Sequence, residues 1–289
     1  MSGQKTSDLR VVRIMCGLGN QMFQYAFARA MGDDVMIYKD GFQKGKLRSF
    51  QLDNFDIQAP CASRRLFNKM NRKSKLPKFI CRLIGREYQK SYRVYEDVPN
   101  VYQPDLMHRT GLFWGYYQSP RYFEHIRPQL LREFSLKTPM DAANQEMLNK
   151  IKRTPNAVSL HVRRGDYLKC QDSFYLCDLD YYAAAMEYIA ARVENPHFFL
   201  FSDDIEWVMN NLKTKFPCTP VAINSGDTGY FDIELMKHCR HNIIANSTFS
   251  WWGAWLNPNP DKIVIAPQKW ARPPVHPEWN IYPDGWVVL

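Results

Sequence analysis

From Pro155 onward, strand-like and helix-like runs alternate without interruption. AVSLHV (157–162), HFFLFS (197–202), TPVAIN (219–224), NIIAN (242–246) and KIVIAP (262–267) are short and rich in β-branched or aromatic residues. Between them lie DLDYYAAAMEYIAARV (178–193), IEWVMNNL (205–212), YFDIELMKHC (230–239) and TFSWWGAWLN (248–257), with apolar residues at helical spacing. Parallel strands need a crossover, and a helix is the usual one. The alternation therefore predicts a parallel sheet covered by helices. VVRIMCG (11–17), a Gly-Leu-Gly-Asn turn and the helical run QMFQYAFARAMG (21–32) open a second unit of the same kind. A chain of 289 residues exceeds one small core. We expect two Rossmann-like α/β domains facing across a cleft, 1–153 and 154–289, with Thr154-Pro155 at the boundary. Residues 139–152 predict a helix; the aromatic-rich stretch 94–125 predicts loops and short helices.

No run of 18 apolar residues occurs, and the first 20 residues lack the apolar core of a signal peptide. The expectation is a cytoplasmic protein. Seven cysteines, an odd number without a CxxC pair, fit reduced thiols. The net charge of +9 is local: residues 61–93 carry eleven Lys or Arg against Glu87, so that segment is +10 and the remainder −1. Within it Leu76, Phe79, Ile80, Leu83 and Ile84 share one helical face, with Pro77 suited to the first turn. A solvated loop is the plain reading. Peripheral contact with an anionic membrane surface is the other.

In an open parallel sheet, ligands bind beyond the carboxyl ends of the strands. Three runs of the second domain end there in polar clusters: His161, Arg163, Arg164 and Asp166; Ser202, Asp203 and Asp204; Asn246, Ser247 and Thr248. Strand alternation puts His161 and Arg163 on one side and Arg164 on the other. A guanidinium grips a diphosphate in a fork that lysine cannot reproduce, and Asp166 can hold it in place. Asp204 suits a helix N-cap, which leaves Asp203 free to accept from a base or ribose. Ser247 and Thr248 suit an N-cap, and the same amides and hydroxyls suit an anion. Asp178 and Asp180 open a helix, where acids favour the dipole over a metal. The lone pair Gly17 and Gly19 carries little dinucleotide signal. Trp251 and Trp255 share a helix face and suit a core.

CGLGNQMFQYAFARA (16–30), HVRRGDY (161–167), FSDDIEWV (201–208) and DIELMKHCRHNIIANSTFSWWGAWLN (232–257) together closely resemble the α-1,2-fucosyltransferases of glycosyltransferase family 11. That resemblance implies a GT-B-like fold and no required metal or cofactor beyond the donor substrate. It implies inverting transfer of L-fucose from GDP-β-L-fucose to the 2-hydroxyl of a galactose-terminated oligosaccharide or glycolipid. It carries β-phosphate binding to Arg163, nucleotide holding to His161, guanine or ribose contact to Asp203, and phosphate contact to Ser247 and Thr248 beside Asn246. It places Gly19, Asn20 and Gln21 on the first domain's side of the cleft. Cys16 stands where many members have glycine, and only a slight turn difference is expected there. Two other readings are a different fucosyl acceptor, as in a protein O-fucosyltransferase, and a basic nucleic-acid-binding protein. The latter lacks any RNA-module signature, and its charge lies far from the strand tips.

Overall fold

The computed structural model describes residues 6–42, 49–72, 78–84, 92–169, 172, 174–272 and 275–289. Two compact units divide the chain. One holds the residues up to Phe134 together with Glu278–Ile281; the other holds Ser135–Pro277 and Tyr282–Leu289.

The first unit contains β1 (Arg10–Arg13), α1 (Leu18–Met31), β2 (Met36–Tyr38), α2 (Arg64–Asn71), α3 (Lys78–Leu83), β3 (Arg93–Tyr95), β4 (Gly111–Trp114) and α4 (Arg127–Glu133). Its strands form a parallel sheet in the order β2-β1-β4-β3. The sequence reading assigned 94–125 to loops and short helices; the sheet corrects this with two strands. GLFW is short and buried on both faces, so it carries no alternation to read. Gly111 stands at φ +140, and a Cβ there would lie 2.4 Å from the Tyr92 carbonyl oxygen. That close approach is what lets β3 and β4 pair. The helix expected from Gln21 starts at Leu18, so Gly19 and Asn20 lie in its first turn.

The second unit contains α5 (Ala142–Arg153), β5 (Ala157–Val162), α6 (Leu179–Ala190), β6 (His197–Ser202), α7 (Ile205–Asn211), β7 (Cys218–Val221), α8 (Tyr230–Lys237), β8 (His241–Ile243), α9 (Thr248–Trp255), β9 (Val264–Ala266) and β10 (Val287–Val288). All its strands are parallel, in the order β10-β9-β8-β5-β6-β7. The order is that of a doubly wound sheet, with the reversal between β5 and β8. Every residue of the central strand β5 is buried. Val158, Leu160 and Val162 on one face pack with Tyr182, Ala185, Met186 and Ile189 of α6. Trp251, Trp252 and Trp255 of α9 are buried, as the shared face suggested, and Trp251 stacks on Trp255.

The units divide between Phe134 and Ser135, earlier than the boundary expected at 153, because α5 belongs with the second unit. Its N-cap is Asp141. The side-chain amide of Asn144 donates to Oδ1 of Asn224 at 2.9 Å and receives a bond from Asn224 at 2.8 Å. No helix among the described residues is long and apolar enough to cross a membrane.

Candidate active site

The reversal point of the second sheet collects the polar clusters. Beyond β5, Arg163 leaves the strand in irregular backbone. Its Nη2 donates to Oδ1 of Asp166 at 2.5 Å, and its Nη1 lies 2.8 Å from Oδ2 of Asp203. The guanidinium carbon sits 5.5 Å from the centre of the Tyr167 ring. Tyr167 stacks on Phe174 and donates its hydroxyl to the Asn246 carbonyl at 3.0 Å, which joins the β5 tip to the β8 tip. Arg163 is therefore aimed by two carboxylates and an aromatic face.

Arg164 turns to other partners, as alternation predicts. Its Nε donates to Oδ2 of Asp204 at 3.3 Å, and its guanidinium lies 3.5 Å over the Trp207 ring. Asp204 caps α7 by accepting from the Trp207 amide. Asp203 is not free, contrary to expectation. Besides Arg163, it accepts from the Arg164 backbone N–H at 2.9 Å. The reason is Gly165: a Cβ at that position would lie 2.3 Å from Asp203 Oδ2, so glycine lets the carboxylate close on the loop. The motif shows a Gly between Arg and Asp, but the partner 38 positions away is a product of the β5–β6 pairing and cannot be read locally.

His161 is buried, with its ring 5.7 Å from that of Phe249. Burial, reinforced by the Arg163 charge, lowers its pKa to about 3, so the imidazole is neutral at physiological pH. Its buried Nδ1 has no hydrogen-bond partner among the described residues. Ser247 caps α9, accepting from the Phe249 amide, with Thr248 at the first helical position. Asn246 lies at the same tip, but its side chain is buried and committed: its amide donates to the carbonyls of Tyr175 at 2.8 Å and Trp270 at 2.9 Å. It clamps the neighbouring loops and offers a ligand only its surroundings. Asp178 caps α6 by accepting from the Tyr181 amide.

Asp232, in the first turn of α8, was not singled out as a site residue. Partial burial raises its carboxyl to about 7, against the lowering effect of the Asn224 amide that donates to it at 2.7 Å. The sign follows from linkage. Folding favours the protonated acid, so its contribution is greatest below the ordinary carboxylate pKa and is lost as pH rises through 7. Asp232→Asn is expected to match wild type near about pH 4 and to exceed it at about pH 8 by roughly 2–4 kcal/mol, read from urea melts at both pH values.

The first unit has its own strand-tip cluster, at its own reversal between β1 and β4. Cys16 adopts φ +69, the left-handed conformation that glycine favours. The turn thus keeps the backbone of a glycine while its thiol lies 3.6 Å from the Tyr116 hydroxyl. Gly19 is buried in the first turn of α1. Asn20 accepts from the Gln118 amide at 2.8 Å. Gln21 is fully buried; its amide donates to the carbonyls of Cys16 and Ser49, and its oxygen accepts from the Gln51 N–H. Its polar atoms are occupied in bracing this turn.

A family model, Glycosyl transferase family 11, matches residues 89–289. An alpha-1,2-colitosyltransferase of Escherichia coli is 32% identical, with 96% of this chain and 98% of that protein covered. Galactoside alpha-(1,2)-fucosyltransferase 1 of Homo sapiens is 32% identical over 49% of this chain and 42% of that protein. Among solved structures, NodZ alpha-1,6-fucosyltransferase soaked with GDP-fucose aligns with a TM-score of 0.51 at 15% identity, covering 87% of this chain and 94% of that one. At that identity the likeness speaks for the fold, which is GT-B-like with a parallel α/β unit in each half.

Proposed function

We propose, from the premise that the chain belongs to glycosyltransferase family 11, that it transfers L-fucose from GDP-β-L-fucose to the 2-hydroxyl of a galactoside with inversion. The observation that carries this reading is Arg163, a guanidinium fixed by Asp166 and Asp203 at the sheet's reversal point beside the N-terminus of α9. That is where a parallel sheet binds a nucleotide diphosphate.

The chemistry follows from the charges. The acceptor 2-hydroxyl attacks the anomeric carbon while the bond from that carbon to the β-phosphate oxygen breaks. The sugar becomes oxocarbenium-like, and negative charge grows on the departing GDP. The hydroxyl proton leaves to a general base or to the β-phosphate itself. Arg163 and the N-terminus of α9 stabilise that growing charge, and they do so most in the transition state. Neutral His161 supports the nucleotide without adding a competing charge, and a ligand group meeting Nδ1 would relieve a buried unpaired atom. Because the cation is supplied by the protein, transfer is expected to persist in EDTA.

A second donor reading is specific enough to keep. The colitosyltransferase relative is named for α-1,2 transfer of a different sugar. Colitose is L-fucose without its 3-hydroxyl, and a site built to hydrogen-bond that hydroxyl would reject the analogue strongly. The experiment is a competition between GDP-fucose and GDP-colitose with lactose and a lipid-linked galactoside as acceptors, followed by linkage analysis. An α-1,2-fucosyl product supports the proposal. Colitose transfer alone, or a linkage elsewhere on galactose, overturns it.

Gly165 gives a direct check on how the site is held. Gly165→Ala inserts a methyl against Asp203, which is tied at 2.8 Å to Arg163 and at 2.9 Å to the Arg164 amide. Overpacking of this kind costs about 1–3 kcal/mol. The expected result is a protein that still folds, with its melting temperature lowered by several degrees, and whose transfer rate falls by roughly tenfold or more.

A further inference from the structure

The basic segment is not used by the chemistry above. Its described part holds α2, α3 and the residues flanking them, with Arg93 at the start of β3; residues 73–77 and 85–91 lie outside the described residues. α2 buries Phe67 and Met70 against the first sheet and turns Arg64, Arg65 and Lys69 to solvent. α3 does the opposite with its apolar residues. Phe79 is 65% exposed, Leu83 80% and Ile84 52%, the three most exposed large hydrophobic side chains among the described residues. Phe79 and Leu83 stand one helical turn apart on one face, with Arg82 also exposed. So the barest apolar side chains among the described residues fall inside the chain's most basic segment.

We infer that α2 and α3, with Ile84 beyond, dock the enzyme on an anionic lipid surface, with Phe79, Leu83 and Ile84 entering the headgroup boundary and Arg64, Arg65, Lys69 and Arg82 facing lipid phosphates. The partner has to satisfy both the charge and the exposed apolar side chains. A nucleic acid would neutralise the charge but leave Leu83 and Ile84 in water, since aliphatic side chains offer no stacking platform. A second copy of the chain would cover the apolar residues but set one +10 segment against another. An anionic bilayer meets both requirements.

The test is flotation of the full chain with vesicles of phosphatidylcholine, with or without phosphatidylglycerol. Binding is expected only with phosphatidylglycerol, and to weaken at least about tenfold from low to high salt. Phe79→Ser/Leu83→Ser/Ile84→Ser is expected to reduce binding by about tenfold or more, with the thermal melt and transfer to a soluble acceptor unchanged. Arg64→Glu/Arg65→Glu/Lys69→Glu should do the same by removing attraction. Equal binding to neutral vesicles, retention of binding by the apolar triple variant, or tighter binding to a single-stranded oligonucleotide than to anionic vesicles would each overturn the inference.

Discussion

Arg163→Ala is expected to fold normally and to lose transfer activity by at least about a hundredfold, the loss seen when one preorganised donor to a developing oxyanion is removed, roughly 3 kcal/mol. Folding survives because the residues left behind are accessible to water. The Asp166 and Asp203 side chains are 36% and 26% exposed and can hydrate once the guanidinium is gone. Accessible ion pairs of this type contribute little to stability. Activity does not survive, because no other described cation lies between these two carboxylates. Arg163→Lys separates charge from geometry. Lysine restores the charge but cannot engage Asp166 and Asp203 while presenting a fork to a diphosphate. Its rate should fall between wild type and alanine, with GDP affinity recovering more than rate. The measurements are initial rates with GDP-fucose, calorimetric GDP affinity and a thermal melt. A rate for Arg163→Ala within a few-fold of wild type would remove Arg163 from the mechanism.

The legible parts of this fold are those written in short-range pattern. The helices and five of the six strands of the second unit follow from hydrophobic periodicity; β10, two residues long, does not. Asp204 and Ser247 were readable as caps because capping joins residues two or three apart. Arg163 and Arg164 diverge to different partners in the sense that strand alternation suggested, although both stand just past the end of β5. What escaped was set by pairings distant in sequence. β4 is only four residues long and has no solvent face to mark its period. Asp203 was read as free because its partners stand on another strand tip, and Gly165, which admits it, gives no sign of what fills the space beside it. Asn246 and Gln21 look from the sequence like ligand-facing polar groups. Complete burial turns both into clamps for backbone carbonyls. A short polar motif thus locates a site more readily than it separates the residues that meet the ligand from those that hold them.

Glu133→Leu is expected to destabilise the first unit by about 3–5 kcal/mol, the usual cost of breaking a buried ion pair from one side. Glu133, at the end of α4, and Arg29 of α1 are both buried. The carboxylate accepts from Nε and Nη2 of Arg29, from the Tyr25 hydroxyl and from the Gln129 amide at 2.9 Å. Burial, together with this bond to Glu133, pushes the Tyr25 phenol well above its ordinary pKa, so it remains a donor. Removing the carboxylate leaves Arg29 with Asp33, whose side chain is 89% exposed and too well hydrated to compensate a buried guanidinium. At a few degrees per kcal/mol for a unit of this size, the melting temperature should drop by roughly 10 °C or more. The companion variant Arg29→Leu/Glu133→Leu removes both ions, so neither is stranded, and it should recover much of the loss. That asymmetry separates a paired charge from mere packing. If the double variant melts no higher than Glu133→Leu, the cost lies in lost contacts between α1 and α4, and the ion pair is incidental. The result bears on function because α1 begins in the braced turn of Gly19, Asn20 and Gln21, so a helix released at Arg29 loosens that turn as well.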